Sequence, residues 1–347
     1  MSKLRLIGVI FGLISLGISF YRLRSYRETR TNIWLSLVFG ITIIFISLFP
    51  NIVNLPADLI SLGDQKGGRL ITLLLISNAL IWFLFFYEKN KYEIRYLKFS
   101  DWIRNTTAKE FLENHGQVFM PNSILVLIPA YNEAKNLEQV LPRIPQKIGD
   151  RELIILVIND GSIDNTRSIS IKHGALVVDQ RVNRGGGEAL KLGYEILKNI
   201  APSVIVTMDA DGQHNPEEIE KIVEPVLNNE SDFVIGSRIL GSFDRDSRLR
   251  LYGVKFFSKM INIMLGTHIT DCSSGFRAFN KNVLENCILL QEQYHTAELI
   301  IEAAKRGFRI HERPVYIKQR ISGKSKKGRN IKYALFFLRT ILKSWLR

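Results

Sequence analysis

Apolar positions along the chain fall into two regimes. Three uncharged runs come first: LIGVIFGLISLGISF (6–20), IWLSLVFGITIIFISLF (33–49) and LITLLLISNALIWFLFFY (70–87). Each approaches the roughly 17–25 residues that a helix needs to cross a bilayer. They predict three spanning helices, at about 4–21, 33–50 and 70–87. A cleaved signal peptide is a poor match, because the first run exits into YRLRSYRETR and no small-residue cleavage site follows. From Ile124 the pattern changes to short, nearly continuous β-branched runs at 124–130, 152–160, 175–179, 204–211 and 232–238. Such runs fit strands covered on both faces. Helical patterns separate them at 134–141, 164–173, 187–199 and 216–228, the last opened by Pro216-Glu217-Glu218. The alternation predicts an α/β domain on a mainly parallel sheet, with ligands bound beyond the carboxyl ends of its strands. The expected division is a transmembrane domain over 1–90, a cytoplasmic linker over 91–122, a catalytic domain over 123–328 and a C-terminal helix over 329–347.

Charge refines this picture. The 347 residues include 47 Lys and Arg against 33 Asp and Glu, a formal charge of +14. Arg22, Arg24, Arg27 and Arg30 follow the first apolar run, and Lys89, Lys91, Arg95, Lys98 and Arg104 follow the third. The loop over 50–69 holds only Lys66 and Arg69, with Asp58 and Asp64. The positive-inside tendency then predicts a multi-pass membrane protein whose catalytic domain is cytoplasmic. Residues 321–347 carry eight Lys and Arg and no acid. Within them, Lys332, Arg339, Lys343 and Arg347 share one helical face, and Leu335, Leu338, Leu342 and Leu346 another. The pattern favours an anionic lipid interface over a helix packed on the domain with a solvated basic face. No nucleic-acid motif accompanies the charge, so no nucleic-acid partner is expected. Cys272 and Cys287 are too few for a disulfide framework and lack the spacing of a zinc site.

The unusual residues gather at strand ends: Pro129-Ala-Tyr-Asn-Glu133, Asn159-Asp160-Gly161-Ser162, and Asp209-Ala-Asp211-Gly-Gln213-His214. Asp164 reads as a helix cap. Two carboxylates one residue apart can both reach Mg²⁺ or Mn²⁺, with substrate phosphates completing an oxygen shell and Gln213 beside them. On spacing alone, an Asp-Gly turn fits the pair equally well. Asn183-Arg184-Gly185-Gly186-Gly187-Glu188-Ala189 precedes a helix in the manner of a phosphate cradle. Its spacing by itself favours a flexible loop, and it sits wrongly for a dinucleotide fingerprint.

Seven ordered motifs give the catalytic region a further meaning: PAYNE (129–133), NDGSIDNT (159–166), NRGGGEALKLG (183–193), MDADGQHNPE (208–217), GSR (236–238), TDCSSGFRAF (270–279) and RISGKSK (320–326). Together they resemble the family 2 glycosyltransferases of the GT-A fold, within them the polyprenyl-phosphate glycosyltransferases such as dolichol-phosphate mannose synthase. The resemblance spans 123 to about 327, and the apolar helices are similar to a small membrane domain found beside such enzymes. It implies a nucleotide-sugar donor, UDP- or GDP-hexose, with Pro129, Tyr131, Glu133, Asp160, Gly187, Arg320 and Lys326 around it. It further implies a metal held by Asp209, Asp211 and Gln213, an acceptor phosphate met by Arg238 and Arg250, and Asp271 near the sugar and acceptor. Asn159 departs from the family's usual Asp at that position, while Asp160 matches the position that binds.

The reading expected is an inverting transfer of sugar to a polyprenyl (dolichyl or undecaprenyl) phosphate. That acceptor is already ionised at neutral pH and needs no strong base, whereas a hydroxyl acceptor would need one. The alternatives are a same-fold transferase acting on a saccharide or glycolipid hydroxyl, and a non-catalytic membrane partner that binds nucleotide-sugar. Glu298 is the one candidate base, and its spacing to Glu302 favours a structural role. The sugar, UDP against GDP, and homo-oligomerisation are left open.

Overall fold

A computed structural model describes residues 3–24, 30–54, 58, 68–119, 122–200, 202–244, 248–291, 294–321 and 331–347. The chain divides into two compact units, 1–97 and 98–347.

In the first unit, α1 (Lys3–Arg24) and α2 (Arg30–Leu48) pack along each other. The contact is made by small residues. A Cβ on Gly12 would lie 2.9 Å from the Gly40 carbonyl oxygen, and one on Gly40 would lie 3.1 Å from that of Gly12. Ser19 Oγ donates to Ser36 Oγ at 2.7 Å. Close backbone approach through Gly and Ser is how helices associate where no hydrophobic drive separates them from their solvent. Their other faces leave Ile7, Phe11, Ile14, Phe39 and Phe45 exposed.

The third helix, α3 (Gly68–His115), departs from expectation. Residues 91–115, read as linker, continue the helix without a break. No Gly or Pro occurs between Arg69 and His115, and the helix stops where Gly116 follows. Among the described residues, only this helix of the three expected spans is long and apolar enough to cross a membrane, with a window of mean hydropathy 2.2 that is 6% buried. The apolar stretches of α1 and α2, Arg5–Ser19 and Ser36–Leu48, are shorter, so three spans are not supported by length and composition.

The second unit is an eight-stranded sheet: β1 (Ile124–Ala130), β2 (Lys147–Ile148), β3 (Arg151–Asp160), β4 (Leu176–Gln180), β5 (Val204–Thr207), β6 (Phe233–Phe243), β7 (Arg277–Phe279) and β8 (Ile310–Ile317). From one edge, the order is β4-β3-β1-β5-β7-β6-β8, with β2 paired to β3. Strands β4, β3, β1 and β5 run parallel, as do β6 and β8. The short β7 is antiparallel to both its neighbours, so the sheet is mixed. Three residues are too few to print a period in the sequence.

The helices of this unit are α4 (Ala134–Val140), α5 (Thr166–Lys172), α6 (Gly186–Lys198), α7 (Ile219–Leu227), α8 (Arg248–Leu265), α9 (Lys281–Asn286), α10 (His295–Lys305) and α11 (Ile331–Leu346). Two apolar layers follow the pleat. Leu125, Leu127, Leu156 and Ile158 pack on one face with Leu190, Leu197, Ile261 and Ile300. Ile124, Val126, Val157 and Val206 pack on the other with Leu137, Ile222 and Val223. The side chains of Ile124, Leu125, Val126, Leu127 and Ile128 are all fully buried, which explains why that run reads as continuous rather than alternating.

The C-terminal helix α11 packs on α10 and α8, burying Phe337, Thr340, Ile341 and Ser344. Phe337 meets Phe257 at 4.8 Å between ring centroids. Leu335, Phe336, Leu342 and Leu346 are exposed beside Arg339 and Lys343. The helix therefore combines both patterns weighed for it, one face docked on the domain and the other apolar and basic.

Candidate active site

The carboxyl ends of β1, β3 and β5 lie side by side, with Ala130 in register with Asn159 and Leu127 with Thr207. The sequence-predicted residues of those ends are thereby brought to one edge. β5 stops at Thr207 rather than running to 211 as expected, since Met208 N–H still bonds Leu127 O at 3.1 Å but the chain then turns through Gly212 at φ 75°. That turn leaves Asp209 and Asp211 beyond the sheet.

Burial, and next to it the charge of Asp209, push the Asp211 carboxyl above the usual Asp range. Its Oδ1 accepts from Gln213 N–H at 3.1 Å, and Arg320 approaches its Oδ2 at 3.9 Å. Two mutually repelling carboxylates in a part-buried turn fit a divalent cation. Among the described residues no group of three His, Cys, Asp or Glu could hold an ion, so phosphate oxygens would have to complete the shell. Gln213 Nε2 donates to Lys318 O at 3.4 Å, so the amide oxygen is the atom that could ligate.

Glu133 serves less as a pocket wall than as an anchor. It is buried, and its carboxylate accepts from Asn136 Nδ2 and from the Arg320 guanidinium. Arg320 thus stands between Glu133 and Asp211. Asp160, also buried, receives the glycine-rich loop: Oδ1 accepts from Arg184 N–H and Oδ2 from Gly185 N–H, both at 2.8 Å. Burial raises its pKa above the usual Asp value. Asn159 Nδ2 donates to Asp179 Oδ1 at 2.7 Å; the cap of α5 is Asn165 rather than the expected Asp164, whose Oδ1 accepts from Thr166 N–H at 3.0 Å. Pro129 lines a small cavity behind Asp209, Tyr131 is half-buried at the end of β1, and Gly187 is buried in the first turn of α6.

Arg238 and Asp271 form a buried pair. Arg238 Nε donates to Asp271 Oδ2 at 2.6 Å, and its NH2 donates to Ser273 Oγ at 3.3 Å. Asp271 is wholly buried and accepts further from Ser273 N–H and Oγ. It is placed to orient the guanidinium. The Arg250 side chain and Lys326 lie outside the described residues.

Two residues carried no role in the sequence reading. A Cβ on Gly275 would meet Asp209 Oδ1 at 2.8 Å and Oδ2 at 3.0 Å. Arg277, fully buried, donates to the carbonyls of Ser274 and Thr296 at 2.7 Å and of Cys272 at 3.4 Å, fixing the loop that carries Gly275. Desolvation lowers its pKa to about 10, still charged at neutral pH. Both sit inside TDCSSGFRAF, but only packing distances reveal what they support.

Residues 125–288 match the profile of the family described as glycosyl transferase family 2. The polyprenol monophosphomannose synthase of Mycolicibacterium smegmatis is 32% identical over 225 residues, 61% of this chain and 84% of that protein. The chain belongs to glycosyl transferase family 2. The UDP-N-acetylglucosamine–dolichyl-phosphate N-acetylglucosaminyltransferase of Methanococcus voltae is 30% identical, covering 55% of this chain and 84% of its own. Among solved structures, glucosyl-3-phosphoglycerate synthase from Mycobacterium tuberculosis, crystallised with Mn²⁺, UDP and glucosyl-3-phosphoglycerate, superposes with a TM-score of 0.51. It is 21% identical and covers 68% of this chain and 83% of its own. At that identity it shows the fold, a GT-A-like α/β domain on a mixed sheet.

This glycosyltransferase should be acutely sensitive at Gly275. Gly275→Ala should push the Asp209 carboxylate aside and lower kcat by about 10²-fold, the scale of an ångström-sized misplacement. The melting temperature should stay within a few degrees. Steady-state kinetics beside a thermal melt decide it, and unchanged kcat would remove Gly275 from the site.

Proposed function

We propose that this glycosyltransferase moves a sugar from a UDP- or GDP-hexose to a polyprenyl phosphate at a membrane, with inversion at the anomeric carbon. The observation that carries the acceptor reading is the position of Glu298. It is fully buried on α10, and both carboxylate oxygens accept backbone N–H groups, from Leu290 at 2.9 Å and Gln291 at 3.0 Å. Arg347 approaches it at 3.4 Å. The carboxylate considered as a base for a hydroxyl acceptor is thus occupied in the fold. An ionised phosphate acceptor needs no base. The names of the relatives in Methanococcus voltae and Mycolicibacterium smegmatis point the same way.

In this reading Asp160 and the loop it holds receive the nucleoside, with Pro129 and Tyr131 alongside. Asp209, Asp211 and Gln213 would hold Mg²⁺ or Mn²⁺, and the ion supplies electrostatic stabilisation of the departing diphosphate. Arg320 adds a second positive charge beside it, with Lys326 from the same motif. Arg238, oriented by Asp271, and Arg250 grip the acceptor phosphate through charge-assisted hydrogen bonds. The apolar surface of α3, the exposed apolar faces of α1 and α2, and the outer face of α11 support a membrane location, with the catalytic unit on the cytoplasmic side.

The test is the purified full-length protein, offered labelled UDP- and GDP-sugars with undecaprenyl phosphate, dolichyl phosphate, a free polyprenol or a sugar alcohol. An acid-labile labelled lipid from the phosphates alone is expected. Products from the polyprenol or sugar alcohol, with the phosphates ignored, would reject this reading.

A further inference from the structure

The glycine-rich loop is held from two sides. Asp160 takes its backbone N–H groups from beneath, as described. On its other side the Arg184 guanidinium reaches α3, where it donates to Ser100 O at 3.3 Å and to Ser100 Oγ, and also to Glu188 Oε2 at 3.0 Å. Glu188, in the first turn of α6 and 2% exposed, is the hub. It accepts from Ser100 Oγ at 3.1 Å, from Arg104 NH1 at 3.3 Å and from Lys191 Nζ at 2.9 Å.

Three cations, Arg104, Arg184 and Lys191, therefore surround one carboxylate with little access to water. Burial pushes the Glu188 pKa up, and these partners bring it below the usual range. An arrangement of this kind is a poor source of stability, because apolar side chains of similar volume serve packing as well or better. What it does secure is geometry. Ser100 and Arg104 lie 84 to 88 residues before the groups they hold, on a helix that carries none of the family motifs. Their partners lie at the one loop that touches Asp160.

We propose that Ser100 and Arg104 are positioning residues of the donor site, which hold the glycine-rich loop through Arg184 and Glu188 in the geometry that a bound nucleotide requires. The inference rests on the nucleotide-sugar reading of the site. With the two residues in place, the loop is ordered before the donor arrives; without them, ordering it falls to the binding step and affinity drops. The chemistry at Asp209, Asp211 and Arg238 is untouched, so the effect belongs in binding and not in turnover.

The experiment uses the full-length protein and compares wild type with Ser100→Ala, Arg104→Ala and Arg104→Lys. UDP and GDP are titrated calorimetrically in the presence of Mn²⁺, donor and acceptor KM are measured, and amide hydrogen exchange is followed at Arg184 and Gly185. Ser100→Ala and Arg104→Ala should raise nucleotide Kd and donor KM by about 10-fold, the usual size for losing a supporting partner. Their kcat should hold within about twofold and acceptor KM should not move. Exchange at the two amides should accelerate, and Arg104→Lys should recover most of the affinity. Unchanged Kd and exchange in both alanine variants overturn the inference while wild-type binding preserves the nucleotide reading. A fall in melting temperature with Kd unchanged shows a merely structural role and also overturns it. A wild type that binds neither nucleotide rejects both.

Discussion

Asp211→Asn should lower turnover by about 10³-fold, the several kcal/mol that a metal contributes to stabilising transition-state charge. Asp209→Asn should behave alike. The same substitutions should leave the metal-free protein at least as stable as wild type. Burial and the neighbouring Asp209 charge raise the Asp211 pKa. A carboxyl raised in the fold favours the folded state below its unfolded value near 3.8, and that contribution disappears as pH rises through the folded value. The two adjacent carboxylates are therefore a liability that a cation would relieve. Metal affinity should fall as pH drops through the raised value, because a ligating carboxylate must be deprotonated. Chelator should stop wild-type turnover and Mg²⁺ or Mn²⁺ should restore it. Full activity in chelator would remove the metal from the mechanism.

Asp271→Ala should destabilise the fold by about 3–5 kcal/mol, because it strands the Arg238 charge in a buried site. The side chains of Arg238 and Asp271 are 6% and 0% exposed, so water offers little relief. Arg238→Lys is the gentler companion: charge is kept and the planar fork is lost. It should weaken use of the phosphate acceptor by about 1–3 kcal/mol, the range of a hydrogen bond to a charged group, with donor KM unchanged. Chemical denaturation checks the first expectation and acceptor kinetics the second. An Asp271→Ala protein of wild-type stability would mean that the pair does not exist as drawn.

Much of this site was legible in advance. β1, β3 and β4 fall within a residue of the runs that predict them, because buried parallel strands print continuous β-branched sequence. The motifs at the ends of β1, β3 and β5 converge as the α/β alternation implies. What escaped was tertiary in origin. β7 is too short to show a period, and residues 91–115 read as linker because their polarity rises, although nothing in them breaks a helix. Gly275 and Arg277 act through distances to Asp209 and to carbonyls that no spacing rule encodes. The resemblance puts Asp271 near the sugar and acceptor, and only the packing shows its pairing with Arg238. The resemblance assigns Asp160 to the nucleoside, and only the structure shows that it ties down a loop two dozen residues further along.

The contact between Arg320 and Glu133 joins residues 187 apart in sequence. Closing so long a loop is entropically costly until the intervening strands have assembled around it. This contact is therefore expected to form late in folding. The first and final motifs meet only across a finished sheet, so an incompletely assembled molecule holds the separate halves of the candidate site before they have met.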